Sequence, residues 1–168
     1  MVTLTIDGKS VQVPEGTNLV EAAARVGIEI PTYCYHPGLS VVGQCRICFV
    51  EVEGLPRLVT ACSAPAQDDM VVFTASEKVR EARAAVMEFL LENHPLDCPV
   101  CDQAGECYLQ DYSYRYGRGY SRFEEDKIKN PKKDVGPHVL LYSDRCIMCS
   151  RCVRFTREIT GTGELCVR

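Results

Sequence analysis

The chain has 168 residues, of which 46% are apolar and 25% charged, with a net charge of −4 and a pI near 5.4. That describes one folded domain or two small ones, and it runs against a nucleic-acid binder relying on a basic face. The longest apolar stretches, Ala84–Met87 and Phe89–Leu91, are far too short to cross a bilayer.

The chain opens Met1-Val2-Thr3-Leu4-Thr5-Ile6-Asp7, with no basic region ahead of an apolar core. The expectation is no signal peptide and a reducing cytoplasm. Val2, Leu4 and Ile6 alternate with Thr3 and Thr5, Asp7-Gly8 is a turn signal, and Val11 and Val13 resume the alternation, which predicts a hairpin. Asn18, with Glu21 three residues on, is a capping-box-like helix start. Leu19, Ala22, Ala23 and Val26 share one face of that helix, and Gly27 suits its end. Further strands are expected over Ile47–Val52, Leu58–Ala61 and Met70–Phe73.

Ser76 offers the next N-cap, and Val79, Ala82, Val86, Phe89 and Leu90 recur at helical spacing up to Asn93, where His94-Pro95 stops the helix. Residues 94–116 form a Cys-rich segment, and 117–137, with Gly117, Gly119, Pro131, Gly136 and Pro137, read as a loop. Val139–Tyr142 reads as a short strand and Cys149–Thr160 as a helix. With no Trp and five Phe, the core is expected from Val, Ile and Leu.

Eleven cysteines, an odd number, argue in a cytosolic chain for metal binding over a disulfide framework. The first group is Cys34, Cys45, Cys48 and Cys62, spaced C-x10-C-x2-C-x13-C. Four thiolates suit a [2Fe–2S] centre, although the plant-type pattern has four residues between its first two ligands, not ten. Gly43, just before Gln44-Cys45-Arg46-Ile47-Cys48, is expected to let the backbone approach a cluster so that amides donate to sulfur. The rival is structural zinc, but a zinc ribbon usually presents two C-x2-C knuckles and this group has one.

The second group is His94, Cys98, Cys101 and Cys107, spaced H-x3-C-x2-C-x5-C. Three thiolates leave a tetranuclear cluster one ligand short, and His94 suits iron better than the neighbouring Asp97, Asp102, Glu106 or Asp111. The rival is a surface or capping histidine. The third group, Cys146, Cys149 and Cys152, has the C-x2-C-x2-C run that wraps one cubane in bacterial ferredoxins, without the x3-C-P continuation. Cys166 is left over and reads as a small buried hydrophobe, with a substitute ligand for the third group as its other reading.

Tyr112, Tyr114, Tyr116, Tyr120 and Phe123 interleave with Arg115, Arg118 and Arg122. Such interleaving can bind single-stranded nucleic acid, but the acidic charge favours packing against a cluster or partner subunit. Arg145, Arg151, Arg154 and Arg157 flank the third group, as solvated helix residues or as charges offsetting a thiolate-bound cluster. His36 and His138 read as structural. Phosphate loops, Ser/His/Asp arrangements and paired carboxylates are absent from the sequence, so it reads as an electron carrier without a substrate pocket.

Cys34…Gly43-Gln44-Cys45-Arg46-Ile47-Cys48…Cys62, then His94-Pro95-Leu96-Asp97-Cys98-Pro99-Val100-Cys101…Gly105-Glu106-Cys107-Tyr108-Leu109-Gln110-Asp111, then Asp144-Arg145-Cys146-Ile147-Met148-Cys149-Ser150-Arg151-Cys152 resemble the beginning of the family of large iron–sulfur subunits of bacterial NADH–quinone oxidoreductase, respiratory complex I. Similar modules occur in iron-only hydrogenases and in NAD-linked hydrogenases and formate dehydrogenases.

The resemblance implies an α+β chain in three parts. Residues 1–78 would form a β-grasp, ferredoxin-like [2Fe–2S] domain, 79–120 a helix with a His94/Cys3 [4Fe–4S] segment, and 121–168 the start of a second [4Fe–4S] segment. That last cluster would fill only if a fourth ligand were supplied, because the family places it further on in a Cys-Pro context. The expectation is therefore a fragment or truncated gene product. The implied function is electron relay toward quinone as part of the oxidoreductase, with a flavin-bearing NADH-oxidising subunit and other peripheral-arm subunits as partners. The implied location is cytoplasmic, peripheral to the cytoplasmic face of the inner membrane, without a membrane span. The alternatives are the same relay in an NAD-linked hydrogenase or formate dehydrogenase, and a non-redox zinc scaffold.

Overall fold

The computed structural model describes residues 1–167. Two compact units emerge, one of residues 1–83 with 149–168 and one of residues 84–148. They sort the chain by packing, whereas the three parts read from the sequence follow the cysteine motifs.

In the first unit, β1 (Val2–Ile6) and β2 (Lys9–Val13) pair antiparallel with Val2 opposite Val13 and Leu4 opposite Val11. The turn between them is the expected Asp-Gly turn, with φ of +46° at Asp7 and +79° at Gly8. The Asp7 carboxylate also accepts from the Thr74 amide at 2.8 Å, tying the hairpin to the end of the central strand that pairs with β1.

Helix α1 (Leu19–Arg25) starts where the sequence places it. The Asn18 side chain accepts from the Glu21 amide at 3.0 Å, but Glu21 does not complete a capping box, because its carboxylate accepts from the Tyr35 hydroxyl at 2.5 Å. The helix ends in paired bonds, Gly27 N–H to Ala24 O and Ile28 N–H to Ala23 O, with Gly27 at φ +71°. This left-handed stop is one that glycine adopts without a Cβ penalty.

Strands β3 (Phe49–Val52), β4 (Val59–Thr60) and β5 (Val71–Phe73) are each shorter than their sequence patterns. Ile47 and Cys48 belong to the turn before β3, despite their apolar run. The five strands make one mixed sheet in the order β2-β1-β5-β3-β4, with β1 and β5 parallel at its centre. Alternate residues Leu4, Ile6, Val13, Val50 and Val72 face α1, whose Leu19, Ala22 and Ala23 are buried against them. The core is aliphatic, as the composition demanded, and sheet and helix together give the β-grasp arrangement.

The first unit also contains α4 (Arg151–Glu158), shorter than the twelve residues expected. Cys149 lies outside it, because Met148 and Ser150 take left-handed φ of +57° and +58° just before the helix.

Helix α2 (Glu77–Glu92) matches its predicted span. No basic residue stands in its last turn, and its end is capped from downstream: Lys127 Nζ donates to Leu91 O at 2.6 Å and to Glu92 O at 2.9 Å. Arg122 clasps Glu88 in a fork with both bonds at 2.7 Å, and the Ile128 amide donates to the Asn93 side chain at 3.0 Å. The segment read as a plain polar loop is thus pinned along α2. It also carries β6 (Lys133–Asp134), which pairs antiparallel with β7 (Leu140–Leu141), the core of the short strand expected there.

Helix α3 (Tyr108–Tyr116) was not expected. Tyr108 stacks on Tyr112 at 5.9 Å between ring centroids, and Tyr116 meets Tyr112 edge-on at 5.6 Å. Rings spaced by four residues share a helix face, so part of the aromatic pattern is internal packing. Among the described residues no helix is long and apolar enough to cross a membrane.

Candidate metal centres

Cys34, Cys45, Cys48 and Cys62 come from three separate stretches and meet at one end of the sheet. Cys34, Cys48 and Cys62 are buried and Cys45 half-buried. They associate as two thiol pairs, Cys34 with Cys45 and Cys48 with Cys62. In the first pair the Cys45 thiol donates to Cys34, which draws Cys34 well below the ordinary thiol range, and the amides of Cys45 and Gln44 add to the effect. Cys45 is pushed up by the same bond and by burial. Likewise Cys48 is pushed up by its bond to Cys62 and by burial, and Cys62 is drawn down. In each pair one thiol is pushed up and its partner drawn down.

The local folding explains the convergence. Cys48 precedes β3 and its carbonyl accepts from Ala61 N–H at 3.1 Å, while Cys62 follows β4 in a turn closed by Ser63 N–H to Thr60 O at 3.0 Å. Gly43 and Arg46, with φ of +58° and +62°, turn the backbone on either side of Cys45, and the Cys34, Ile47 and Tyr33 backbone draws the Cys45 thiol down against burial. The reason for Gly43 differs from the one expected: a Cβ there would sit 3.8 Å from its nearest neighbours, so its backbone angle, not crowding, favours glycine.

In the second unit, His94, Cys98, Cys101 and Cys107 line one cavity of about 680 Å³ together with Met87, Leu91, Leu109 and Arg145. His94 follows α2. Cys98 opens a 3-10 turn with Pro99 inside it, and the chain folds tightly through Val100 N–H to Asp97 O at 2.8 Å and Ala104 N–H to Cys101 O at 3.1 Å. Gly105 at φ +90° delivers Cys107 to the N-cap of α3. Burial, then the Lys127 charge, hold His94 below the usual histidine range, which favours the neutral imidazole. Asp97 is engaged elsewhere, accepting from Arg145 at 3.1 Å.

In the third group, Cys146 is exposed, and the Met148 amide donates to its sulfur at 3.4 Å. Cys149 is half-buried, and Cys152 is exposed in the first turn of α4. Cys166 is exposed, contrary to the buried reading. The four arginines do not form a common solvated face either. Arg154 is buried, Arg145 is held by Asp97 and the Val100 carbonyl, and Arg157 is exposed.

Among the described residues no three His, Cys, Asp or Glu side chains close on a single ion-sized point. The ligands of a binuclear or tetranuclear centre are divided among several irons and need not do so.

The family described as a 2Fe-2S iron-sulfur cluster binding domain matches residues 1–77. That of the NADH-ubiquinone oxidoreductase-G iron-sulfur binding region matches residues 83–122, and that of the NADH-quinone oxidoreductase subunit 3 ferredoxin-like domain matches 136–168. Over 165 residues, 98% of the chain, it is 48% identical to the NADH-quinone oxidoreductase G-subunit of Rickettsia bellii and 50% identical to the NADH-ubiquinone oxidoreductase 75 kDa subunit of Reclinomonas americana. The chain spans 24% of the length of each of these relatives. The fold is similar to that of a chain in the crystal structure of an NAD+-reducing [NiFe]-hydrogenase in the H2-reduced state. There the TM-score is 0.88 at 33% identity, over 99% of this chain and 70% of that one. Three matched regions in the order of the three cysteine groups, on a fold with that likeness, establish that the chain belongs to the iron–sulfur G-subunit family of NADH-quinone oxidoreductase.

Proposed function

We propose that the chain relays electrons within an NADH–quinone oxidoreductase, from a flavin-bearing NADH-oxidising subunit toward quinone, at the peripheral arm on the cytoplasmic face of the membrane. The observation that carries the reading is the meeting of Cys34, Cys45, Cys48 and Cys62 as two thiol pairs. Two pairs match the two irons of a [2Fe–2S] centre, with Cys34 and Cys45 on one and Cys48 and Cys62 on the other. His94, Cys98, Cys101 and Cys107 around one cavity fit a [4Fe–4S] cluster, and Cys146, Cys149 and Cys152 offer three ligands toward a second.

Such clusters accept and return single electrons. At the first site the residues of this chain bury three of the four ligand cysteines, and in the second unit they keep His94 neutral. The three parts 1–78, 79–120 and 121–168 would each serve one centre. The 33% identity to a chain of an NAD+-reducing hydrogenase favours a second reading, the same relay feeding a hydrogenase.

Anaerobically purified protein is expected to be brown and to contain iron and acid-labile sulfide. Stoichiometric zinc without sulfide would overturn the relay and leave a structural scaffold. Assembly should also depend on pH. Burial and thiol bonding push Cys45 and Cys48 up, so loading the first site displaces protons, and the apparent iron affinity should rise with pH across neutrality. A flat profile in reconstitution titrations would contradict the thiol pairing.

A further inference from the structure

Arg154 is the one arginine near the third cysteine group whose side chain the fold buries, at 6% exposure, although its helix α4 is only eight residues long. Its guanidinium donates to the Cys34 carbonyl, to the Ser40 carbonyl at 2.6 Å and to the Cys149 carbonyl at 3.3 Å, while Nε donates to Ser150 Oγ at 3.3 Å. One turn later Glu158 accepts from the Ser40 amide at 2.8 Å and from the Ser40 hydroxyl. Ser150 Oγ also reaches Gln44, the neighbour of Cys45, at 3.5 Å. All of these residues lie in the first unit.

The loop so held is the ten-residue connection from Cys34 to Cys45, longer than the plant-type four. Its extra length carries Ser40, the point that α4 grips with both Arg154 and Glu158. A guanidinium taken out of water and bound to neutral acceptors is costly unless negative charge lies nearby; the Glu158 carboxylate supplies one such charge, and the Cys34 sulfur feels the guanidinium as well. Two ferric irons, two sulfides and four thiolates sum to two negative charges, and an added electron makes three.

We propose that Arg154 is a positioning and potential-setting residue of the [2Fe–2S] site: it fastens the Cys34 loop to the Cys149 loop and places a buried positive charge against the first cluster. This rests on the assignment of Cys34, Cys45, Cys48 and Cys62 as ligands. The positive charge favours the reduced cluster, so the same group that fixes the ligand loop also raises the cluster's affinity for the electron. Because the Cys149 carbonyl shares the guanidinium, the start of α4 and the [2Fe–2S] site are held by one charge.

The test is a redox titration of the [2Fe–2S] electron paramagnetic resonance signal in the anaerobically purified chain, alongside thermal melts of the metal-free protein. Arg154→Gln keeps donors but removes the charge. It should lower the equilibrium constant for reduction at least tenfold, a negative shift of about 59 mV for one electron. Arg154→Lys keeps the charge without the fork, so it should melt lower yet shift the potential far less. Arg157→Gln, at an exposed position on the same helix, should leave the potential unchanged. Should Arg154→Gln not fold, Glu158→Gln decides: it keeps an acceptor for Ser40, removes the carboxylate that opposes Arg154, and should shift the potential positive. Lower melting with wild-type potentials in Arg154→Gln, or in Glu158→Gln when only that variant folds, would overturn the proposal and leave Arg154 a purely structural clamp. A wild-type chain that holds no iron and sulfide would instead overturn the ligand assignment on which the proposal rests.

Discussion

Replacing His94 with Ala is expected to strip the second site of its cluster, a loss of about four irons per chain, while the [2Fe–2S] signal persists. The argument is geometric. His94, Cys98, Cys101 and Cys107 line one cavity, and Asp97, the carboxylate beside Cys98, is held by Arg145 and is not free to substitute. The imidazole is held neutral by burial and by Lys127, so no proton competes for its nitrogen near neutrality. As the pH falls through the lowered histidine range the ring takes up its proton, and occupancy of this site should fall with it. His94→Cys should retain a cluster, but a thiolate in place of a neutral ring adds a negative charge and lowers the potential on the order of 100 mV. Iron analysis with a redox titration checks both, and an unchanged titration in His94→Cys would remove His94 from the ligand set.

Cys48→Ser is expected to abolish the [2Fe–2S] signal and remove about two irons per chain. Cys48 is 1% exposed, its thiol is paired with Cys62, and its carbonyl anchors the end of the sheet through Ala61. The substituted hydroxyl would be a poor iron ligand, although it retains Cys62 as its hydrogen-bond partner. Cys166→Ser serves as the contrast. Cys166 is exposed, so that substitution should leave the iron content near six per chain, one [2Fe–2S] plus one [4Fe–4S]. A count near ten that drops to six in Cys166→Ser would show that Cys166 completes the third site.

The sequence by itself determined the elements whose signals are local. Asp7-Gly8 selects the hairpin turn because its residues tolerate positive φ. Asn18 starts α1 because its short side chain reaches the Glu21 amide, and Gly27 ends it in the left-handed region. Helix α2 was readable because sixteen residues sustain one apolar face, and the three cysteine groups were readable as spacings. Helix α3 was not, because its Tyr, Ser and Asp content carries weak helix propensity, and stacked tyrosines and a buried Leu109 supply what propensity does not.

Tertiary structure alone decided which strands pair. The parallel meeting of β1 with β5 joins residues far apart in the chain, and no local pattern encodes it. It also decided that the four thiols associate two by two, since Cys34 and Cys62 reach their partners only once the sheet has formed. Arg154 is the clearest case. In sequence it is one of several arginines on a short helix, indistinguishable from Arg157. Its burial depends on carbonyls of Cys34 and Ser40, more than a hundred residues earlier, and a buried charge leaves no periodic trace because its partners are backbone atoms.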